Sequence, residues 1–454
     1  MEPLPSHVFP ATSKADWLAQ VRKELKDEFA DESLRWTIDP VAPDNGLTVD
    51  AYYTADDLTG LPLATIQEAQ HQTNRVGWLN APEYHITDPA SQSVTLRDAL
   101  TRGADALLLS LPEDVSQTDG NLARLLHGIK LSDTPVYFRL SGSPVPFLNS
   151  LRPMAPYQLK GGLLATASVE EIVEATRLTA DSPQFRTISI GSHDFHNAGA
   201  SAVQELAFTL ARLADQYKAL LAAGLSLDQL AARTLLSVSV GTSYFVEIAK
   251  LRALRVLWLR QMATYADTGF PGPLLLAQTS TFYDAAVTPY TNLLRATTEA
   301  MAAVIGGCNV LTVHPYDTVL KAPGEFSERI ARNVSILLKE ESYLDRVADP
   351  AAGSYYIETL THQLAGQAWS LFGQVQAMGG FQTAMETGFV QAEIDRAYQA
   401  KVEAVRGGKV LVGVTKFRFD DDTTAEAAAP PAGLPRSTGL PDRRLAAEFE
   451  QPYQ

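Results

Sequence analysis

The sequence predicts a (β/α)8 barrel, because eight short apolar or β-rich runs lie between Arg75 and Asp317 and helical patterns separate most of them. This stretch of about 240 residues is close to the ~250 residues typical of such a barrel. The runs are almost continuously apolar, as expected of parallel strands that are buried on both faces. Sequence alone does not say whether the sheet closes, so a doubly wound open sheet remains the alternative.

The predicted strands can be read off the sequence in order. They are VGWLN, ALLLSL, PVYFRL, GGLLAT, RTISIG, LSVSVG, LLLAQTS and NVLTVHP. A long helix with a wide apolar face, YFVEIAKLRALRVLWLRQM, follows the sixth run. A second helix, NLLRATTEAMAAVIGG, ends at a pair of glycines before the eighth run. Two further helices, EFSERIARNVSILLKEE and LTHQLAGQAWSLFGQVQAMGG, are predicted after the barrel on either side of a turn at residues 349–353.

Segments of a different character flank the barrel. A helix is predicted from a Ser13 cap, with Trp17, Val21 and Leu25 spaced four apart on one face, and two extended pieces follow around a Pro-Asp-Asn-Gly turn. After Arg418 the chain is rich in proline, alanine and charge and has few large apolar residues. We therefore expect an extended arm at 1–74, a barrel with its C-terminal helices at 75–419 and a flexible tail at 420–454.

Composition narrows the class of function. The 454 residues include 37 basic and 52 acidic ones, and the net charge of −15 argues against a nucleic-acid partner. No apolar run reaches the roughly 18 residues that a membrane span needs, and the amino terminus lacks a secretory pattern. The single cysteine, Cys308, offers neither a disulfide nor a zinc cluster, so we expect a cytoplasmic protein.

The densest polar cluster follows the fifth run, where His193, Asp194 and His196 stand at the carboxyl edge of a strand. Barrel enzymes place their sites at this edge, so two imidazoles and a carboxylate are candidates for a metal or acid–base centre. We favour the simpler interpretation that these groups cap the next helix and bond one another or a partner chain.

The same cluster matches D-x-H-x-x-G from Asp194 to Gly199, a pattern whose histidine ligates cobalt in some cobalamin proteins. The further elements of that motif are missing at suitable distance, and we interpret the match as chance. Gln278, Thr279 and Ser280 at the seventh run and His314 after the eighth are weaker candidates, because each can equally be a hydrogen-bonded structural residue. No glycine-rich phosphate loop with its lysine is present.

Several long motifs in a fixed order carry a family resemblance. RTISIGSHDFHNAGASAVQELAF, YFVEIAKLRALRVLW, LLRATTEAMAAVIGG, EFSERIARN and ADPAAGSYYIETLT together resemble the barrel domain of the methylmalonyl-CoA mutase family. The resemblance extends from about Trp17 to Arg418, and the early WLAQVRKELK and AYYTADDL segments are similar to the family's small, non-catalytic subunit. It implies a barrel threaded by coenzyme A and an adenosylcobalamin-dependent radical interconversion of methylmalonyl-CoA and succinyl-CoA.

The chain departs from the family's catalytic pattern at several positions. Active chains carry ISISGYHMQEAGA where this chain has ISIGSHDFHNAGA, which puts Asp194 at the substrate-binding histidine and Asn197 at a glutamate near the adenosine. The active pattern RTHSQTS is LLLAQTS here, so Leu274 and Leu276 replace an arginine and a histidine, and only Gln278, Thr279 and Ser280 are retained. No counterpart of the first-strand TIRQYAGFS is found, and the insertion after the fourth strand is shortened. Losing one donor from a catalytic site commonly costs about 10²-fold in rate, and several are missing.

The resemblance therefore implies a degenerate site at the barrel mouth. Its positions are His193, Asp194, His196, Asn197, Leu274, Leu276, Gln278, Ser280, Asn309 and His314. We expect the chain to bind no cofactor or metal, to lack a cobalamin-binding domain and to be inactive alone. A large catalytic subunit would supply adenosylcobalamin and bind acyl-CoA in a heterodimer, and the arm and tail would wrap that partner.

Two other functions remain open from the sequence. The chain could be a catalytic acyl-CoA mutase barrel whose cobalamin domain lies on a separate polypeptide. Alternatively, a metal site at His193, Asp194 and His196 could support an unrelated hydrolytic reaction.

Overall fold

The computed structural model of the chain describes residues 12–25, 34–42, 45–72, 76–116, 118–266, 269–418 and 439–450. Its amino-terminal part contains two helices, a hairpin and a 3-10 turn. These elements are α1 (Lys14–Leu25), β1 (Arg35–Ala42), β2 (Asn45–Asp50), the 3-10 helix Ala55–Leu58 and α2 (Leu63–His71). The predicted Ser13 cap is present, since its hydroxyl accepts from the Asp16 amide at 3.1 Å. The centre of the predicted hairpin turn lies outside the described residues.

All eight predicted strands are present, and they pair in parallel. The strand segments are β3 (Leu79–Asn80), β4 (Glu83–His85), β5 (Leu107–Leu111), β6 (Val136–Leu140), β7 (Gly161–Leu164), β8 (Phe185–Arg186), β9 (Ile188–Gly191), β10 (Thr234–Val240), β11 (Leu274–Thr279) and β12 (Val310–Thr312). They form two five-stranded sheets, ordered β3-β12-β11-β10-β9 and β4-β5-β6-β7-β8.

The two sheets are joined by strands that continue from one into the other. β3 and β4 are two halves of the first barrel strand: the Ala81 amide bonds the Leu311 carbonyl at 2.9 Å, and the Pro82 carbonyl accepts from Leu108 at 3.1 Å on the opposite side. Pro82 interrupts the ladder because it has no N–H to donate. β8 and β9 are likewise two halves of the fifth strand. The barrel prediction is therefore confirmed, and an open sheet is excluded.

Helices surround the barrel and continue beyond its last strand. They are α3 (Pro89–Thr101), α4 (Glu113–Ser116), α5 (Asp119–Leu125), α6 (Pro144–Met154), α7 (Val169–Leu178), α8 (His193–Ala198), α9 (Ala202–Ala222), α10 (Leu227–Arg233), α11 (Tyr244–Met262), α12 (Pro289–Ile305), α13 (Glu325–Glu340), α14 (Tyr355–Ala377), α15 (Phe381–Glu386) and α16 (Phe389–Arg406). The four helices singled out in the sequence correspond to α11, α12, α13 and α14. Among the residues the structure covers, no helix is both long and apolar enough to cross a bilayer.

The described part of the arm packs on the outside of its own barrel. Leu47 and Val49 of the hairpin are buried in the main hydrophobic core. Asp39 accepts a hydrogen bond from the Ala202 amide at the start of α9 at 2.6 Å, and it lies 3.4 Å from the Lys401 ammonium of α16. The arm is therefore part of this chain's fold as well as a candidate for contact with another chain.

Part of the segment expected to be a flexible tail is also packed. Residues 439–450 lie against the barrel and include the 3-10 helix Leu445–Glu448, with Leu440, Leu445 and Ala446 buried. The expectation for residues 420–438 and 451–454 lies outside the described residues. The difference at 439–450 has a simple physical cause: its few apolar side chains find their partners on the barrel, which local composition does not reveal.

Candidate functional site

A cavity of about 930 Å³ opens at the carboxyl ends of the barrel strands. Residues from the ends of β4, β6, β7, β9, β10 and β11 line it, together with α15 and the segment 439–450. This is the end at which barrel proteins place their ligands, because loops from all the strands converge there.

The barrel interior beneath the cavity is filled by apolar side chains. We call this cluster the plug: Leu79, Ala81, Ala106, Leu108, Tyr137, Leu164, Leu235, Leu276 and Val310, with Leu274 at its margin. Tyr137 is 2% exposed, and Leu108, Leu235 and Leu276 are completely buried. These residues point inward because alternate positions on a strand face the same side of the sheet. The lower barrel is thus a packed core.

A polar layer lies directly above the plug. We call it the triangle of Glu83, Arg139 and Gln278, contributed by β4, β6 and β11. Arg139 Nε lies 3.1 Å from Glu83 Oε1, Arg139 Nη2 donates to Gln278 Oε1 at 2.9 Å, and Gln278 Nε2 donates to Glu83 Oε2 at 3.0 Å. Ser110 also donates to Glu83, at 2.6 Å. The three side chains therefore contact one another across the barrel axis, with Arg139 Nε in the ion pair but without a hydrogen bond of its own.

The charge of Glu83 is stabilised by this arrangement. Burial favours the neutral acid, but the positive charge of Arg139 and the Ser110 hydrogen bond outweigh burial and hold the pKa of Glu83 at about 2. Glu83 is therefore an ionised acceptor in an internal ion pair. A general base needs a carboxylate that is free to take a proton and whose pKa lies close to the working pH. Glu83 meets neither condition, because its oxygens are engaged and its pKa is about 2.

His193 forms part of the cavity wall. Its Nδ1 lies 2.7 Å from the Ser239 hydroxyl, and its Nε2 lies 2.6 Å from the Ser237 hydroxyl, both on β10. Burial, followed by the positive charge of Arg139, lowers the pKa of His193 well below its usual value. The imidazole is consequently neutral and held on both sides.

His196 makes its contacts on another side of α8. Its Nδ1 lies 2.7 Å from Glu205 Oε1, and its Nε2 lies 2.7 Å from the Ser280 hydroxyl. Behind it, the Lys250 ammonium sits 3.0 Å from Glu205 and 2.6 Å from Glu247. This is a buried polar network that joins α8, α9, α11 and the end of β11.

The two-imidazole centre, which was the less favoured interpretation of the sequence, is therefore not assembled. The favoured interpretation, in which these groups cap the next helix and bond one another, does not describe the contacts either, because Ser201 caps α9. His193 bonds β10 while His196 bonds α9 and Ser280, and Asp194 lies 3.8 Å from Arg212. Within the described ranges, no group of three or more histidine, cysteine, aspartate or glutamate side chains could hold a metal ion. Both His196 ring nitrogens are engaged, so the D-x-H-x-x-G match does not present a ligand for cobalt.

The other predicted mouth positions fall in three places. Asn197 and His314 line the cavity, and burial lowers the pKa of His314 to about 4. Leu276 belongs to the plug, with Leu274 at its lower edge. Asn309 is at the opposite end of the barrel: its Oδ1 accepts from the Leu275 amide at 2.8 Å and from Arg255 at 3.1 Å. The expectation that placed Asn309 at the mouth is corrected accordingly.

Two members of the triangle were not singled out in the sequence. Arg139 lies in the apolar run PVYFRL, two residues after Tyr137 and therefore on the same face of the strand. Strand periodicity alone would have placed this charge inside the barrel with Tyr137. Glu83 lies beyond the end of the first predicted strand, after Pro82, and the extension of that strand into β4 was not foreseen. The cavity residues Asp442, Arg443 and Arg444 were missed because they come from the expected tail.

Comparison with known proteins gives a consistent result. Residues 164–432 match the methylmalonyl-CoA mutase family. A methylmalonyl-CoA mutase of Cereibacter sphaeroides is 41% identical over 262 residues, which are 57% of this chain and 36% of the relative.

Two subunits from Porphyromonas gingivalis are also similar. Its methylmalonyl-CoA mutase small subunit is 30% identical over 441 residues, which cover 90% of this chain and 70% of the relative. Its methylmalonyl-CoA mutase large subunit is 32% identical over 371 residues, covering 72% of this chain and 50% of the relative. The chain thus spans about a third of the Cereibacter protein, half of the large subunit and somewhat more than two thirds of the small subunit.

Proposed function

Because the chain belongs to the methylmalonyl-CoA mutase family, we propose that it is the non-catalytic small subunit of a two-chain mutase. In this proposal a large catalytic chain binds adenosylcobalamin and acyl-CoA and carries out the isomerisation of methylmalonyl-CoA and succinyl-CoA. The small subunit binds acyl-CoA only through that partner and supports its fold. The heterodimer works in the cytoplasm.

The main observation behind this proposal is that apolar side chains fill the interior of the barrel. A thioester with a long coenzyme A tail would need a passage along the barrel axis, and the buried apolar side chains of the plug occupy that axis. Opening it would expose Leu276, Tyr137 and their neighbours to a polar ligand and forfeit their packing. Above the plug, the triangle adds an ion pair between Glu83 and Arg139, and both side chains also bond Gln278.

The side chains at the mouth agree with an inactive barrel. Asp194 stands where the resemblance places a histidine donor, and a carboxylate repels a carbonyl oxygen that a donor would polarise. Leu276 is in the plug, where active family members carry a histidine. Gln278, which is retained, bonds Arg139 and Glu83.

The residues of this chain do not fit ligation of a cobalamin cofactor at the D-x-H-x-x-G match. His196 is 4% exposed and both of its ring nitrogens are engaged. We therefore assign the cofactor to the partner chain. The relatives support a two-chain arrangement, since proteins named small and large subunit occur in one organism and both are similar to this chain.

The proposal is tested by reconstitution. The purified chain is assayed for succinyl-CoA formation from methylmalonyl-CoA with added adenosylcobalamin, first alone and then with a large mutase subunit. We expect no turnover and no calorimetric signal with coenzyme A for the chain alone. With the large subunit we expect a stable 1:1 complex in size-exclusion chromatography. Turnover by the chain alone, or a mixture that elutes as separate chains, contradicts the proposal.

The cavity of about 930 Å³ favours one alternative, a catalytic barrel that works with a cobalamin domain on another polypeptide. Its polar wall could receive a ligand that does not pass through the plug. The same assay separates the two functions: adding a cobalamin-domain protein in place of the large subunit restores turnover only if this chain supplies the catalytic barrel.

A further inference from the structure

Residues 439–450 cross the carboxyl end of the barrel, and we call them the strap. The Arg443 amide donates to the Asn197 carbonyl of α8 at 2.8 Å. Two residues later the Leu445 amide donates to the Phe282 carbonyl after β11, also at 2.8 Å. Because β10 lies between β9 and β11 in the sheet, the strap passes over the carboxyl end of β10.

Apolar side chains anchor the strap at both ends. Leu440 packs into a cluster that contains Phe195 and Phe381. Leu445 and Ala446 pack into a separate cluster with Phe282 and Tyr398. Each of these strap side chains is less than a tenth exposed, so leaving the barrel would return their apolar surface to water.

Arginine side chains hold the middle of the strap. Arg443 pairs with Asp395 at 2.6 Å, donates to the Ala198 carbonyl at 3.1 Å and stacks on the Tyr398 ring at 4.4 Å. Arg444 donates to the Asp284 carbonyl at 3.0 Å and makes two bonds to Glu450, whose carboxylate also accepts from the Ala286 amide at 2.6 Å. Charge-assisted bonds of this kind are stronger than neutral ones.

These anchors coincide with one wall of the mouth cavity. Asp442, Arg443 and Arg444 line the same space as His193 and the triangle. The plug closes the other end of the barrel axis, so a molecule that reaches the cavity has to enter from the side on which the strap lies. The strap contacts the barrel mainly through side chains, and the Arg443 and Leu445 amides add the two backbone hydrogen bonds given above.

We infer that the strap is a gate: it admits small molecules to the mouth cavity and keeps out bulky ones, including a second protein domain, until Arg443 and Leu445 leave their sites. This inference concerns access to the cavity, so it holds whether or not the barrel turns over a substrate. A partner chain that leaves the strap in place has to contact the barrel elsewhere.

The test uses a cysteine as a reporter inside the cavity. Ala165 lines the cavity at the end of β7, and A165C introduces a thiol there. The native Cys308 is buried, and burial raises the pKa of its thiol to about 12, so it contributes a slow background that is measured in the parent chain. Labelling rates are measured with methyl methanethiosulfonate, a small reagent, and with a polyethylene-glycol maleimide, a bulky one.

The strap is loosened by R443A with L445A in the A165C chain. The bulky reagent should then react at least about tenfold faster, because charge-assisted bonds and a buried leucine no longer hold the strap in place. The small reagent should change much less. R177A is the control, since Arg177 makes an exposed pair with Glu174 on α7 and takes no part in the strap contacts described above.

Circular dichroism establishes that each variant is folded, and a chain that ends at residue 438 provides a second loosened form. The inference is overturned if the bulky reagent reacts at the same rate in the parent and loosened chains. An equal rise for both reagents also overturns it, because that result shows general opening of the site.

Discussion

Glu83 is an ionised carboxylate inside a barrel, and it is tolerated because each of its oxygens has a partner. Ser110, Arg139 and Gln278 supply those partners from three other strands. Removing one member of a buried ion pair leaves the other charge uncompensated, which costs more than the pair itself contributes. The triangle is therefore the site at which a single change should have a large effect on stability.

We predict that E83Q lowers the free energy of unfolding by about 3 kcal/mol, measured by urea denaturation. The double variant E83M/R139M should recover most of this lost stability, since it removes both charges and fills their space with apolar side chains. The pKa of Glu83, about 2, lies below that of an ordinary glutamate. The contribution of ionised Glu83 to folding stability is therefore present above about pH 4.5 and is lost as the pH falls towards 2. Equal stability of the single and double variants would contradict this account.

The pKa of Asp284 is shifted in the opposite direction to that of Glu83. Burial raises its pKa to about 7, while Arg295 of α12 and Arg444 of the strap oppose that rise. Glu299, a second buried carboxylate, lies on the same helix as Arg295. Because the pKa of Asp284 in the folded chain is above its ordinary value, folding is favoured most when this carboxyl is neutral. Its contribution to folding stability is complete below about pH 4 and is lost as the pH rises through about 7.

We predict that D284N removes the loss of stability that follows ionisation of Asp284, because a carboxamide stays neutral at every pH. Melting temperatures measured from pH 5 to pH 8 should converge for the two proteins at low pH, and the variant should melt about 3 °C higher at pH 8. D98N, at an exposed residue that pairs with Arg102, serves as the control and should follow the parent. Parallel pH profiles for D284N and the parent would refute the assignment.

At the level of elements, the strands were the most predictable feature. A strand buried on both faces needs a continuous apolar run, so each of the eight runs identified one barrel strand. The breaks within the first and fifth strands were not predicted. Pro82 explains the break in the first strand, since it has no N–H to donate. The pairing of β3 with β12 and of β4 with β5 depends on how all the strands are arranged around the barrel.

The helix that carries the polar cluster ends at Gly199, where geometry demands glycine. Gly199 has a φ of 103°, and a Cβ placed there would lie 2.7 Å from Tyr398 Cδ2 of α16. Both the left-handed backbone and the close approach exclude a side chain. α8 is thus oriented by its contact with α16 as well as by the strand before it.

We predict that G199A destabilises the chain by about 2 kcal/mol or more, measured by denaturant unfolding. It should also disturb the His193 and His196 contacts, which is checked from their ring proton resonances. G120A is the matched control: it lies in α5, has no neighbour within 4 Å of the added Cβ and should leave stability unchanged or raise it slightly. A near-neutral G199A would show that α16 moves to accommodate the methyl group.

For the whole molecule, segments that look independent in the sequence are packed on the barrel. The arm is joined to α9 and α16 through Asp39. The strap joins α8 to the loop after β11. Neither segment has enough apolar residues for a core of its own, but both contribute a few side chains to a core that the barrel already provides. Composition therefore underestimated how much of the chain is folded.

We predict that D39A loosens the arm without unfolding the barrel. The Asp39 carboxylate accepts from the first turn of α9, an interaction worth about 1 kcal/mol, so hydrogen exchange in β1 and β2 should accelerate about fivefold. Exchange in β10 should be unchanged. R35A, which removes a largely exposed pair with Asp50, is the control. Faster exchange throughout the barrel in D39A would mean that the arm and barrel unfold as one unit.

The amino-acid sequence alone determined the eight strands and their order, the long helices and the family resemblance, and it left open whether the sheet closes into a barrel. These depend on patterns within short stretches, and a run of apolar residues or a helical period acts on its immediate neighbours. The resemblance also implied that Leu274 and Leu276 of the seventh strand replace polar residues of active family members.

Only the tertiary structure decided what those changes produce. Glu83 and Gln278 are 195 positions apart and meet because the ring closes at a particular register. The same closure directs His193 and His196 to different partners, places Asn309 at the far end and brings the strap across the mouth. Contacts between distant residues depend on how all the strands and helices pack together, and local sequence carries little information about that packing.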